Sequence, residues 1–232
     1  MINLIHGQFE NINLDNYKFN LAFLDPPDNQ KMKYENYNDN LKESDYLDLL
    51  QTWTQKACEI TKGPVFLSIA EKYIATIEKL IDFGSIKLIQ RIYWYYSFGQ
   101  NNKTRYSPCV RPIYWLNEPT IYAENIKIKS DREVKYKDKR AKNGGKLPNN
   151  VWDFSRVCGT FKEKRKFHPT QHPEKLIERI ILGHSKPGDL ILDGFVGSGT
   201  TAIVCKRLNR SFVGIDCSQY YLNKIKEILN DR

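Results

Sequence analysis

Leu190-Ile191-Leu192-Asp193-Gly194-Phe195-Val196-Gly197-Ser198-Gly199-Thr200-Thr201 reads as a short buried strand, a tight glycine turn and the start of a helix. Glycines at such a turn let the backbone approach a ligand beside a helix N-terminus, at the carboxyl edge of a doubly wound sheet. Three kinds of ligand compete for this turn. A phosphate loop needs G-x-x-x-x-G-K-[ST]; Gly194 and Gly199 have the spacing, but Thr200 stands where the lysine belongs. A nicotinamide-cofactor fingerprint, G-x-G-x-x-A, fits Gly197 to Ala202, with Asp216 at the end of the next strand as the ribose acid. S-adenosylmethionine also needs close backbone approach and a ribose acid, and adds a demand that Asp193 would meet, a carboxylate for its methionine amine.

The pattern around this turn is that of a parallel sheet. Downstream, Thr200 to Leu208 reads as a helix, Ser211 to Ile215 as a strand and Tyr220 to Leu229 as a helix; upstream, Pro173 to Leu182 is a helix opened by proline. At the other end of the chain, Ile2 to His6, Phe19 to Leu24 and Val65 to Ile69 read as strands, and Tyr46 to Thr61 and Ile74 to Ile81 as helices. Ile86 to Trp94 and Ile113 to Leu116 complete a count of seven strands. Between the blocks, residues 117–166 form a basic insertion, set off from a catalytic unit made of 1–116 and 167–232.

The 232 residues exceed the ~100–200 of a typical domain only slightly, so one unit with one insertion is expected. With 41% hydrophobic and 27% charged residues the chain is an ordinary globular protein. No apolar run approaches the ~18 residues of a membrane span, and the first residues lack a signal peptide's basic flank, so a cytoplasmic location and no membrane partner are expected. Cys58, Cys109, Cys158, Cys205 and Cys217 are scattered singly, and Pro169 and Pro173 keep His168 and His172 off a shared helical face. Neither a disulfide framework nor a metal site is expected. The net charge of +9 is localised: residues 127–166 hold fourteen Lys and Arg against five Asp and Glu, whereas residues 1–50 hold nine acidic and four basic side chains. Such an excess suits a polyanion.

Phe23-Leu24-Asp25-Pro26-Pro27-Asp28 places an acid at the end of a buried strand and stiffens the turn with two prolines. Proline cannot donate a hydrogen bond, so the carbonyls near Asp25 are free to accept from a ligand. With His168-Pro169-Thr170-Gln171 and the Asp193-to-Thr201 turn following in that order, the sequence resembles the β-class amino-directed DNA methyltransferases. These place D-P-P-Y first, then a target-recognition region, H-P-T-Q, and D-P-F-x-G-S-G-T-T. The likeness covers nearly the whole chain: Ile5-His6-Gly7-Gln8 matches a strand end that usually reads G-D, and Val213-Gly214-Ile215-Asp216 the ribose-binding strand.

That resemblance implies an α/β fold, doubly wound, with a mostly parallel seven-stranded sheet in circularly permuted order. It implies transfer of a methyl group from S-adenosylmethionine to the exocyclic amine of a flipped base in double-stranded DNA, in a restriction-modification setting. Asp25, Pro26, Pro27 and Asp28 would be the catalytic segment, Asp25 and the Pro26 carbonyl accepting from the amine. His6, Gln8, Asp25, His168, Pro169, Thr170, Gln171, Asp193, Gly194, Phe195, Gly197, Ser198, Gly199, Thr200, Asp216 and Cys217 would surround the cofactor. Lys103, Arg105, Lys162, Lys164, Arg165 and Lys166 would meet DNA phosphates. Adenine N6 is preferred to cytosine N4 because the first motif residue is Asp25 rather than the serine common in the cytosine group.

Three positions depart from the family pattern. Gly194 replaces a proline, Gln8 replaces an acid, and Asp28 stands where Tyr or Phe would stack on the base. Another aromatic, from Tyr34, Tyr37, Tyr95, Tyr96 or Phe98, would then have to stack, or the base would sit differently. A dinucleotide-dependent oxidoreductase and a non-catalytic DNA-binding relative are the rival readings. Homodimerisation is left open.

Overall fold

The computed structural model describes residues 1–83, 86–97, 102–140 and 144–231. In chain order the elements are β1 (Ile2–His6), β2 (Leu21–Leu24), α1 (Glu43–Ile60), β3 (Val65–Ser68), α2 (Ile74–Phe83), β4 (Leu88–Tyr95), β5 (Val110–Leu116), the one-turn α3 (Asp131–Val134), β6 (Val151–Asp153), α4 (Glu174–His184), β7 (Leu190–Asp193), α5 (Thr200–Arg207), β8 (Ser211–Asp216) and α6 (Gln219–Asn230).

One sheet runs β1-β8-β7-β2-β3-β5-β4-β6. Its pairings are parallel except where β5 runs against β3 and β4, so the doubly wound, mostly parallel expectation holds. Strands alternate their side chains between faces, and here both faces are apolar. Leu21, Phe23, Phe66, Ile113, Ile191 and Phe212 face one core with α4, α5 and α6. Ala22, Leu24, Leu67, Tyr114, Leu192 and Val213 face the other, under α1 and Tyr73. Two-sided burial explains why the central strands read as unbroken apolar runs.

The sheet has eight strands rather than the expected seven. The extra strand, β6, comes from the basic insertion and pairs with β4 at the sheet edge. Only Trp152 of its three residues is buried, Val151 and Asp153 being exposed, so the strand is too short to carry a period in the sequence. The start of the insertion is also docked: the Tyr122 N–H donates to the Gly183 carbonyl, and His184 Nδ1 lies 2.6 Å from the Thr120 carbonyl oxygen.

The order of strands positions the site. From β7 the chain moves to β8 on one side, and from β2 it moves to β3 on the other. Such a switch point opens a crevice at the carboxyl ends of the two strands. Phe23 and Asp193 are register partners there.

Candidate active site

A cleft opens at this switch point, where open α/β sheets bind their ligands. Its lining includes Gln8, Asp25, Pro27, His168, Thr170, Gln171, Asp193, Gly194, Phe195, Gly197, Ser198, Thr200, Asp216 and Cys217, segments far apart in sequence that the sheet edge brings together. Some expected residues lie elsewhere. His6 is exposed at the end of β1, its Nε2 3.0 Å from the Cys217 carbonyl oxygen; Pro169 is exposed. Pro26, Asp28 and Gly199 are also absent from the lining. Phe9, Glu10, Trp53 and Tyr221 line the cleft without having been expected. Trp53 packs edge-on against Phe195 at 4.9 Å and donates from Nε1 to Glu10 Oε2 at 2.7 Å. They come from α1, α6 and the segment after β1, where an aromatic at helical spacing reads simply as core.

The glycine turn is shaped by two carboxylates. Asp193 Oδ1 accepts from the Phe195 N–H at 2.9 Å. Asp216 accepts from the Gly197 N–H at 2.9 Å and the Ser218 N–H at 2.8 Å. Gly197, at φ +46°, must lack a side chain because a Cβ there would lie 2.8 Å from His168 Nε2. Burial pushes the Asp193 carboxyl up to about 7, against the opposing pull of Thr201 and the Phe195 N–H. Burial also raises Asp216 and lowers His168, which the Thr170 carbonyl and Asp25 partly counter. A buried carboxylate so destabilised by desolvation favours a cationic partner such as an ammonium group. The cleft thus fits S-adenosylmethionine: Asp193 suits its amine, Asp216 its ribose, and Phe195 with Trp53 a flat apolar ring.

Asp25 is held by a network that sequence reasoning missed. Arg111, at the start of β5, donates from Nη2 to Asp25 Oδ1 at 2.8 Å and to Asp28 Oδ1 at 3.1 Å, and from Nη1 to Asp28 Oδ2 at 2.6 Å. Its Nε donates to Ser68 Oγ at 2.7 Å. His172 Nδ1 lies 3.2 Å from Asp25 Oδ2, and its Nε2 3.2 Å from Ser68 Oγ. Burial pushes the Asp25 carboxyl up, but His172 and Arg111 outweigh it and leave the group well below the ordinary carboxylate range. The signal in the sequence was an arginine within an otherwise apolar strand, Val110-Arg111-Pro112-Ile113.

Among the aromatic candidates, Tyr34 and Tyr37 line the cleft, with rings 6.4 Å apart. Tyr96 packs against Trp94 at 5.2 Å and carries the Arg156 guanidinium over its ring at 5.1 Å. Tyr95 pairs in β4 with Val110 and Asp153. Phe98 lies outside the described residues. Of the expected phosphate ligands, Lys103, Arg105, Lys162, Lys164 and Lys166 are exposed. Arg165 is a correction: its side chain is 5% exposed, paired with Glu174 at 2.7 Å and bonded to Thr200 Oγ1 at 2.9 Å. Facing inward, it braces the segment before α4 against the start of α5.

The chain matches a DNA methylase family, labelled N6/N4 methyltransferase, over residues 19–227. It is 38% identical over 225 residues to the type II methyltransferase M.HpaI of Haemophilus parainfluenzae, covering 94% of this chain and 70% of that protein. It is 33% identical over 220 residues to the DNA adenine methyltransferase YhdJ of Escherichia coli strain K12, covering 87% of this chain and 73% of that protein. Its fold is that of the crystal structure of an M1.HpyAVI–SAM complex, with a TM-score of 0.64, 23% identity and coverage of 99% of this chain and 100% of that one.

Proposed function

The chain belongs to the DNA methylase family, and from that premise we propose that it methylates N6 of an adenine flipped out of double-stranded DNA, using S-adenosylmethionine. The observation that carries this reading is the meeting of Asp25 and Asp193 in one cleft, at the ends of adjacent parallel strands. S-adenosylmethionine, when bound, supplies an electrophilic methyl group on a sulfonium. Asp193 would hold its amine and Asp216 its ribose hydroxyls.

An adenine amine is a poor nucleophile because its lone pair is delocalised into the ring. Asp25, accepting from an N–H of the amine, would help pyramidalise the nitrogen and aim the lone pair for a single in-line displacement. Positioning and fixed electrostatics then carry most of the rate enhancement, and no covalent enzyme intermediate is needed. The base has to leave the helical stack, since N6 cannot meet the donor within the duplex. The basic insertion, residues 117–166, would carry target recognition, with Lys162, Lys164 and Lys166 on the phosphate backbone. The choice of adenine is supported by Asp25 as first motif residue and by the likeness to a protein named as an adenine methyltransferase.

The test is transfer of tritiated methyl groups to unmethylated DNA, followed by nucleoside analysis. Label in N6-methyladenine is the expected result. Label in N4-methylcytosine would correct the base, and no label with any DNA would overturn the activity.

A further inference from the structure

Asp25, Arg111, Ser68 and His172 close a hydrogen-bonded ring built from the ends of β2 and β3, the start of β5 and the segment before α4. We infer that this ring fixes the plane of the Asp25 carboxylate, making Arg111, Ser68 and His172 positioning residues, and that Asp28 anchors Arg111 instead of contacting the base. The inference rests on the reading of Asp25 as acceptor for the target amine, and deepens it.

Donor chemistry fixes the first step of the ring. An arginine Nε–H can only donate, so Ser68 Oγ accepts at 2.7 Å. The Ser68 hydroxyl proton is then free to point at His172 Nε2, 3.2 Å away. In the tautomer with its proton on Nδ1, Nε2 accepts it and Nδ1–H donates to Asp25 Oδ2 at 3.2 Å, which closes the ring. Each Asp25 oxygen receives one internal bond, from Arg111 on Oδ1 and His172 on Oδ2, and keeps one lone-pair site. The carboxylate is therefore oriented without being used up.

Asp28 has both oxygens on Arg111, at 2.6 and 3.1 Å. A fork-to-fork pair of this kind holds a guanidinium in a defined plane, and it balances the charge that a carboxylate beside Asp25 would otherwise add. An aromatic residue at position 28 could not hold Arg111 in this way. The Ser68–His172–Asp25 series also resembles an acyl-transfer triad, but Ser68 is fully buried and its Oγ accepts from Arg111, which leaves no approach for a carbonyl substrate.

The test compares wild type with Arg111→Ala, Arg111→Lys, Asp28→Asn and Asp25→Ala in single-turnover methylation at saturating DNA and cofactor, from pH 5 to 9. Cofactor and DNA affinities are measured alongside, as is the 13C NMR titration of Asp25 in the ligand-free protein. Arg111→Ala should lower the rate roughly ten- to hundredfold, the scale of a mispositioned reacting group, with both affinities within about twofold of wild type. The Asp25 titration should move to higher pH, because the carboxyl has lost a cation. Arg111→Lys should recover only part of the rate, since a single ammonium cannot span Asp25, Asp28 and Ser68 at once. Asp28→Asn, nearly isosteric, should lower the rate by less than Arg111→Ala, because Arg111 loses only its charged anchor.

The proposal is overturned if Arg111→Ala turns over at the wild-type rate while Asp25→Ala is inactive. It is equally overturned if Asp28→Asn changes DNA affinity and leaves the rate and the Asp25 titration unchanged. A wild-type rate in Asp25→Ala would instead remove Asp25 as acceptor, and the inference with it.

Discussion

Asp193 carries its carboxylate at the buried end of β7, where desolvation raises it to about 7. Its ionisation therefore falls in an accessible pH range. If it receives the cofactor's ammonium, binding requires a deprotonated carboxyl and a protonated amine, so affinity for S-adenosylmethionine should be highest between pH 7 and the amine's own titration at about 8. Below pH 7 it should weaken, approaching about tenfold per pH unit. Calorimetric titrations from pH 5.5 to 8.5 read this directly, and Asp193→Asn should flatten the profile while weakening binding throughout. A profile already flat in wild type would move the amine elsewhere. Asp25 behaves oppositely. Its folded-state carboxyl is lowered by His172 and Arg111, so the stability it adds is complete above the unfolded value near 4 and is lost as pH falls toward its folded value. Acid melting should therefore come at higher pH in Arg111→Ala than in wild type.

The turn joining β7 to α5 separates binding from stability. Gly199, at φ +77°, precedes α5, and a Cβ there would lie 2.7 Å from Ile225 Cγ1 in α6. A left-handed non-glycine residue costs roughly 1–2 kcal/mol, and Ile225 would also have to move. Gly199→Ala should lower the melting temperature by roughly 2–8 °C. At Gly197, also left-handed at φ +46°, the obstructed group is the His168 ring, which itself lines the cleft. Gly197→Ala should thus weaken the cofactor more than it weakens the fold, measured by the ligand-induced rise in melting temperature relative to the ligand-free value. Equal losses at both positions would mean that the turn acts only as a structural connection.

Across the molecule, charge is divided between an acidic N-terminal stretch and a basic insertion that leads into the cleft. Replacing Lys162, Lys164 and Lys166 by alanine should flatten the slope of log affinity against log salt for DNA by about 0.9 for each phosphate no longer neutralised, with cofactor affinity unchanged. Arg165→Ala serves as the contrast. Its side chain is buried against Glu174 and Thr200, so its removal should leave the salt slope unchanged. Because Glu174 keeps Arg207 at 2.6 Å, the cost in stability should be roughly 1.5–3 kcal/mol, read from chemical denaturation. A slope reduced by Arg165→Ala as much as by a lysine change would place that guanidinium on the DNA.

The unbroken apolar runs of the central strands, the proline at the start of α4, the glycine turn and the order of the three motifs are local patterns. From them the sequence by itself determined the α/β class, the ligand turn at the carboxyl edge of the sheet and the acids beside it, because backbone conformation and two-sided burial are written within a few neighbouring residues. Tertiary structure alone decided what each charge faces. Arg111 meets Asp28 across 83 residues of chain and Ser68 meets His172 across 104, distances over which no periodicity operates. For the same reason Arg165, one of four basic residues between 162 and 166, turned inward while its neighbours stayed exposed: its burial depends on Glu174 and Thr200 being brought beside it by the packing of α4 on α5. The edge strand β6 formed because β4 had an open side to pair with, a condition that exists only once the sheet has been assembled.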